Sequence, residues 1–165
     1  MAKANRDGEL REGGQPLPAC AQGLALLTVG RVEEAREVLE EALARSPLSI
    51  EVRRTLARLR AAMGDGAGAQ RLLEGAVQLA PRDMATVCDL VLLYARQRDG
   101  MARARRLLDA ALEVNETEAL THLTYARVVA QDAPTQALFH ARQALAHGDG
   151  EVREAAAWWV RRLAS

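Results

Sequence analysis

A chain of 165 residues that is 49% apolar is long enough to bury a core, and with only 3% aromatic residues that core must be built from Ala, Leu and Val. Close packing of such side chains favours helix on helix over a sheet rich in aromatic residues, so an all-α fold is expected. Lys and Arg total 22 against 22 Asp and Glu, and this balance gives no field that favours nucleic acid or an anionic membrane as a partner.

Residues 1–15 combine glycines and charges with almost nothing apolar, and a flexible N-terminal tail is expected there. "LPAC" at 17–20 has the look of a lipoprotein cleavage box, but the residues before it are polar and the apolar run "LALLTV" follows Cys20, so export is not expected. Two cysteines make no disulfide framework, and a cytoplasmic location with reduced thiols is the expectation. No segment approaches the roughly 20 apolar residues that span a bilayer.

The stretch "GRVEEAREVLEEALARSP", residues 30–47, carries Val32, Ala35, Leu39 and Ala42 at helical spacing and stops at Pro47. A second copy, "GDGAGAQRLLEGAVQLAP", follows at 64–81. Gly30, Ala35, Leu39, Ala42 and Pro47 become Gly64, Ala69, Leu73, Ala76 and Pro81, an offset of 34 at every position. A third copy, "GMARARRLLDAALEVN", keeps Ala104, Leu108 and Ala111. A fourth, "PTQALFHARQALAHGD", keeps Ala137, Ala141 and Ala144. Gly30 and Gly64 are placed to take positive φ just past a helix, and Asp65 and Asp149 of the two "GDG" turns are candidate caps. "NET" at 115–117 reads as a helix cap, with Asn115 or Thr117 ahead of Glu118. The final segment, "EVREAAAWWVRRLA", has no second helix after it and should cover the open end of the core. Trp158 and Trp159 point about 100° apart on a helix, so one should pack inward while the other is available for an oligomer contact.

These positions resemble the tetratricopeptide repeat, a 34-residue helix-turn-helix with small residues where two helices cross and a proline after the second helix. The resemblance spans about residues 16–149. Its second-helix half is well matched. Its first-helix half is weaker, since the tryptophan usual near the start is absent. It implies a right-handed α-solenoid of about four repeats, 16–49, 50–83, 84–117 and 118–149, with a capping helix over 150–165. The alanines would let neighbouring helices approach closely, so Phe at Ala69 or Ala76 should overpack the stack by about 1–3 kcal/mol or more.

Catalytic chemistry is not legible. The three histidines, His122, His140 and His147, lie in neither HExxH nor any zinc-finger spacing, and no phosphate-binding or nucleophile-elbow motif is present. Neither enzyme activity nor a cofactor nor a metal is expected.

What the resemblance implies instead is a concave groove, lined by the first helix of each repeat, that takes an extended or helical segment of a partner protein. In this chain the implied lining includes Leu24 and Leu27, Arg54 and Arg58, Cys88 and Leu92, and His122, Ala126 and Val129. The carboxylate clamp of the chaperone-tail binders is missing, because its positions hold Cys20, Leu24, Thr55, Ala85 and Asp89. An apolar segment carrying acidic groups suits the face better, with Arg54 and Arg58 as its cations, unless those arginines simply face the acidic second helix of repeat one. Two other readings stand beside this adaptor. "GRVEEA" is similar to a turn in the chaperones of bacterial type III secretion translocators, which implies shielding of apolar cargo. A homo-oligomeric assembly through Trp158 or Trp159 is the third. Cys20 and Cys88, two repeats apart, should not be bridged.

Overall fold

The computed structural model describes residues 3–4, 10–12, 15–16 and 18–164. From residue 19 the chain is helical: α1 Ala19–Thr28, α2 Val32–Arg45, α3 Ile50–Ala62, α4 Gly66–Leu79, α5 Met84–Ala95, α6 Met101–Val114, α7 Ala119–Val129, α8 Pro134–His147 and α9 Gly150–Leu163. Successive helices pack as pairs, α1 with α2, α3 with α4, α5 with α6 and α7 with α8, and α9 covers α8. This is the all-α helical repeat architecture that composition and periodicity predict. In and at the end of the segment expected as a tail, β1 Lys3–Ala4, β2 Leu10–Glu12 and β3 Gln15–Pro16 pair antiparallel in the order β1-β2-β3, with Pro16 one residue beyond it. Pro16, which has no N–H to donate, falls on an edge strand. The other residues of that segment lie outside the described residues. The chain divides into two compact units, Met1–Leu79 and Ala80–Ser165.

In the first unit the repeat's small positions do what their size allows. Ala35, Leu39, Ala57, Ala69 and Ala76 have between 0% and 4% of their surface exposed along with Leu73. A Cβ built on Gly23 of α1 would stand 3.0–3.2 Å from three side-chain atoms of Leu39, so α1 and α2 close to the limit that a glycine permits. The turns inside both helix pairs of this unit are Schellman motifs. Gly30 (φ 78°) and Gly64 (φ 87°) adopt the left-handed conformation, and the following N–H groups reach back, Arg31 to Leu26 O at 2.9 Å and Asp65 to Arg60 O at 2.9 Å. Asp65 then caps α4, its Oδ1 accepting from the Gly68 N–H at 2.7 Å. A Cβ at position 68 would fall 2.0 Å from Asp65 Oδ2, so a larger residue there would displace the capping carboxylate. Asp65→Ala is expected to cost about 1 kcal/mol, read as a lower urea midpoint with an unchanged slope.

An ion-pair network joins the acidic α2 to α3. Arg36 donates to Glu33 at 2.9 Å and to Glu40 at 2.8 Å, and Arg60 of α3 donates to Glu40 at 2.9 Å. Burial alone would raise the Glu40 pKa, but the bonds from Arg60 and Arg36 outweigh it and hold the carboxyl below its ordinary range. Arg60 thus meets the acidic helix, while Arg53 turns back onto Pro47 O at 2.7 Å.

In the second unit the same positions, Ala104, Leu108, Ala137, Ala141 and Ala144, are fully buried. The third repeat's one-residue slip lies in the α5–α6 connection, residues 96–100, which is longer than the turn at 63–65. α7 is buried on nearly all sides, packed by α5, α6, α8 and α9, and residues 121–126 are all inaccessible. The two "GDG" turns differ in mechanism. At 148–150 the left-handed residue is the last glycine, Gly150 (φ 42°), and Asp149 makes no side-chain cap bond. "NET" also differs from expectation: α7 starts after Glu118, and Asn115 ends α6 while its Oδ1 accepts from the Thr117 N–H at 3.2 Å. An asparagine side chain closes such a turn on its own backbone more readily than it starts a helix. At the end of the unit, Trp159 packs with Leu145, Val152 and Ala155 against Leu123, Ala144 and Ala156, whereas Trp158 is 48% exposed.

Candidate functional site

The implied groove residues separate by burial. On α1, Leu24 is 54% exposed and Leu27 half-buried; on α3, Arg54 is half-buried and Arg58 exposed. Both arginines already engage a neighbour. In the second unit Leu92 of α5 is half-buried, while Cys88, His122, Ala126 and Val129 are buried and present little surface to any partner.

The cysteines share one structural role. Cys20 of α1 lies against Thr55 and Glu51 of α3, and its pKa is raised, first by burial. Cys88 of α5 points its Sγ at Leu120 O of α7, 3.8 Å away, and burial pushes the thiol up to about 11. Each fills the contact between the first helices of consecutive repeats within its unit. Both are free thiols, and protonated ones at neutral pH, so neither is a ready nucleophile.

The fourth repeat gathers a cluster that the groove reading did not foresee. His122 of α7 and His140 of α8 face each other with Nδ1 atoms 2.9 Å apart, and His122 Nε2 lies 2.8 Å from Glu116 O. A carbonyl only accepts, so His122 Nε2 carries a proton, and in the neutral ring its Nδ1 is then the acceptor. His140 must then donate from Nδ1, which leaves His140 Nε2 with a bare lone pair and no partner among the described residues. Tyr125 stacks on the His140 ring with centroids 3.9 Å apart, and its hydroxyl donates to Asp109 Oδ1 at 3.0 Å. Burial, with His122 beside it, holds the His140 imidazole down at about 4, against a smaller opposing pull from Asp109. Burial and the Asp109 carboxylate both raise the Tyr125 hydroxyl, which stays protonated.

This pair opens onto a cavity of about 400 Å³ lined by Leu112, Glu116, Thr117, His122, Phe139, His140, Gln143 and His147. All three histidines of the chain meet there. His140 and His147 stand seven residues apart, two turns of one helix, so their shared face was legible in the sequence. That His122 would face them across a helix pair was not. Among the described residues no group of three or more His, Cys, Asp or Glu side chains is arranged to hold a metal ion. No described helix is long and apolar enough to cross a membrane.

Residues 26–91 match the family model described as tetratricopeptide repeat. No curated protein matches the chain. Among solved structures, a thermophilic TPR protein in Thermus thermophilus is 26% identical, with a TM-score of 0.70 over 88% of this chain and 81% of its own. A tetratricopeptide repeat protein from Parabacteroides merdae is 18% identical, with a TM-score of 0.68 over 88% of this chain and 58% of its own. Yeast Tom70 is 14% identical, with a TM-score of 0.71 over 89% of this chain and 32% of its own; at such identities the likeness is one of fold. With helix pairs on a period of about 34 residues and alanines at their crossings, residues 26–91 carry the tetratricopeptide repeat signature, and the chain as a whole has the tetratricopeptide-like helical repeat fold.

Proposed function

We propose that the protein is a non-catalytic adaptor that holds a segment of a partner protein against the first helices of its repeats. The observation that carries this reading is Leu24, a leucine 54% exposed on α1 at the repeat position that Arg58 takes on α3. An exposed apolar side chain on one first helix and an exposed arginine at the same repeat position of the next suit a segment that offers an apolar residue and a carboxylate. The buried positions Cys88, His122, Ala126 and Val129 are removed from the binding face and act as helix-packing residues. In the first unit the site then rests on Leu24, Leu27, Arg54 and Arg58; Leu92 is the half-buried groove position of the second unit, taken by itself.

"GRVEEA" supplies no cargo-specific chemistry in this reading. Gly30 turns the chain, Arg31 pairs with Glu34 and Ala35 packs in the core, so these four residues of the motif serve the α1–α2 turn and its packing.

Capture from the source cell's lysate on immobilised wild-type protein and on Leu24→Glu tests the proposal, with circular dichroism confirming that the variant keeps its helices. A protein bound by wild type and at least tenfold depleted on Leu24→Glu is the expected result. Equal recovery on both would sink the groove reading.

A further inference from the structure

We propose that the cavity of the second unit is a receptor for Trp158 of a second copy of this chain. The proposal goes beyond the groove, uses none of its exposed residues, and depends on two features of residues 80–165 that fit each other.

The first is an acceptor without a donor. His140 is only 7% exposed, its Nδ1 is committed to His122, and its Nε2 meets no donor among the described residues. The cavity that His140 lines is where a donor can reach that lone pair. Phe139, 56% exposed, stands edge-on to His140 with ring centroids 5.2 Å apart and gives the cavity an aromatic rim.

The second is a donor without an acceptor. The chain has two Trp, two Tyr and one Phe. Tyr94 and Tyr125 are buried and Trp159 is half-buried, which leaves Phe139 and Trp158 as the exposed rings. The indole N–H of Trp158 can only donate, and neutral His140 Nε2 can only accept. Trp158 is held in place by Trp159, at right angles with centroids 5.0 Å apart, and by the Arg162 guanidinium 5.3 Å above its ring. The donor surface thus brings a cation with it, and the cavity holds the exposed Glu116 carboxylate. Hydrogen-bond polarity and charge are complementary, and a ring anchored in a pocket is the kind of contact that dominates interfaces.

Trp158 is not part of its own molecule's cavity lining, so the donor must come from another copy. Two unlike surfaces meet in such a contact. Copies either exchange tryptophans as a two-fold pair or add head to tail.

Sedimentation equilibrium of the full chain above pH 7 tests this, with circular dichroism confirming the fold of every variant. Wild type should show a mass that rises with concentration above the 17.9 kDa of one chain. Trp158→Ala and Phe139→Ala, both at exposed positions, should each remain single chains. Their equimolar mixture should regain association and stop at a pair, because one variant offers only the cavity and the other only the tryptophan. Glu116→Lys should weaken self-association, and mixing it with Arg162→Glu should restore part of it. Wild type that stays a single chain at every concentration overturns the proposal. So does a Trp158→Ala variant that associates like wild type, or a mixture that stays monomeric while wild type associates.

Discussion

Leu39→Ala should lower the stability of the first unit by about 2–5 kcal/mol, and Gly23→Ala in the same background should return part of that loss. Leu39 is completely buried on α2, and its removal leaves a void that the fixed helix pair fills poorly. Gly23 faces the same space from α1, where an added Cβ would come within 3.0–3.2 Å of Leu39 side-chain atoms. In the wild-type background that methyl crowds Leu39, and the crowding offsets the helix propensity gained by replacing glycine, about 1 kcal/mol. With Leu39 truncated the crowding vanishes and the methyl occupies part of the void. Urea unfolding of wild type, both single variants and the double variant therefore gives a cycle with a favourable coupling. Strict additivity would mean that the two residues do not share one packing space.

Acid should weaken the second unit over a defined range. The folded His140 pKa lies near 4 against an ordinary value of 6.5, so between these values the unfolded chain binds the proton that the folded chain refuses. The contribution is fully present above pH 6.5 and is lost as the pH falls towards 4. The whole range amounts to about 3 kcal/mol for a displacement of this size. Besides His122 and Tyr125, the Asp109 carboxylate acts on this ring, and it opposes the shift without reversing it. Trp158 and Trp159 both lie in the second unit, so their fluorescence follows the unfolding of the unit that holds the histidine pair. His140→Gln keeps a donor for His122 Nδ1 and removes the titration. Its stability should change less between pH 7 and pH 4 than that of wild type, and an unchanged slope would show that His140 does not carry the acid response.

The helix pairs, the Gly30 and Gly64 turns and the packing residues are legible along the chain because each depends on neighbours within one repeat, whereas the roles of Asp149 and Asn115 are not. Gly30 and Gly64 end helices through their own left-handed φ, Pro47 and Pro81 prevent continuation, and Ala69 and Ala76 are buried where the periodicity puts them. That one tryptophan packs inward and the other does not follows from the 100° between consecutive helical residues; that Trp159 is the inward one is decided by its packing with Leu145, Val152 and Ala155.

Which residues remain available to a partner was decided by tertiary structure. The repeat register assigned Cys88, His122, Ala126 and Val129 to the groove together with Leu24, but packing of α7 by α5, α6, α8 and α9 covers them. Arg60 reaches Glu40 of α2, a meeting of side chains 20 residues apart that depends on how two helices cross. The vacant Nε2 of His140 is a consequence of three contacts at once, from His140 to His122 and from His122 to Glu116, with Tyr125 holding the ring by stacking. Helical periodicity and turn chemistry are properties of adjacent residues, so the sequence alone specifies them. Burial, tautomer and pairing between helices arise only when separate segments meet, and these decide which face of each helix is left to act.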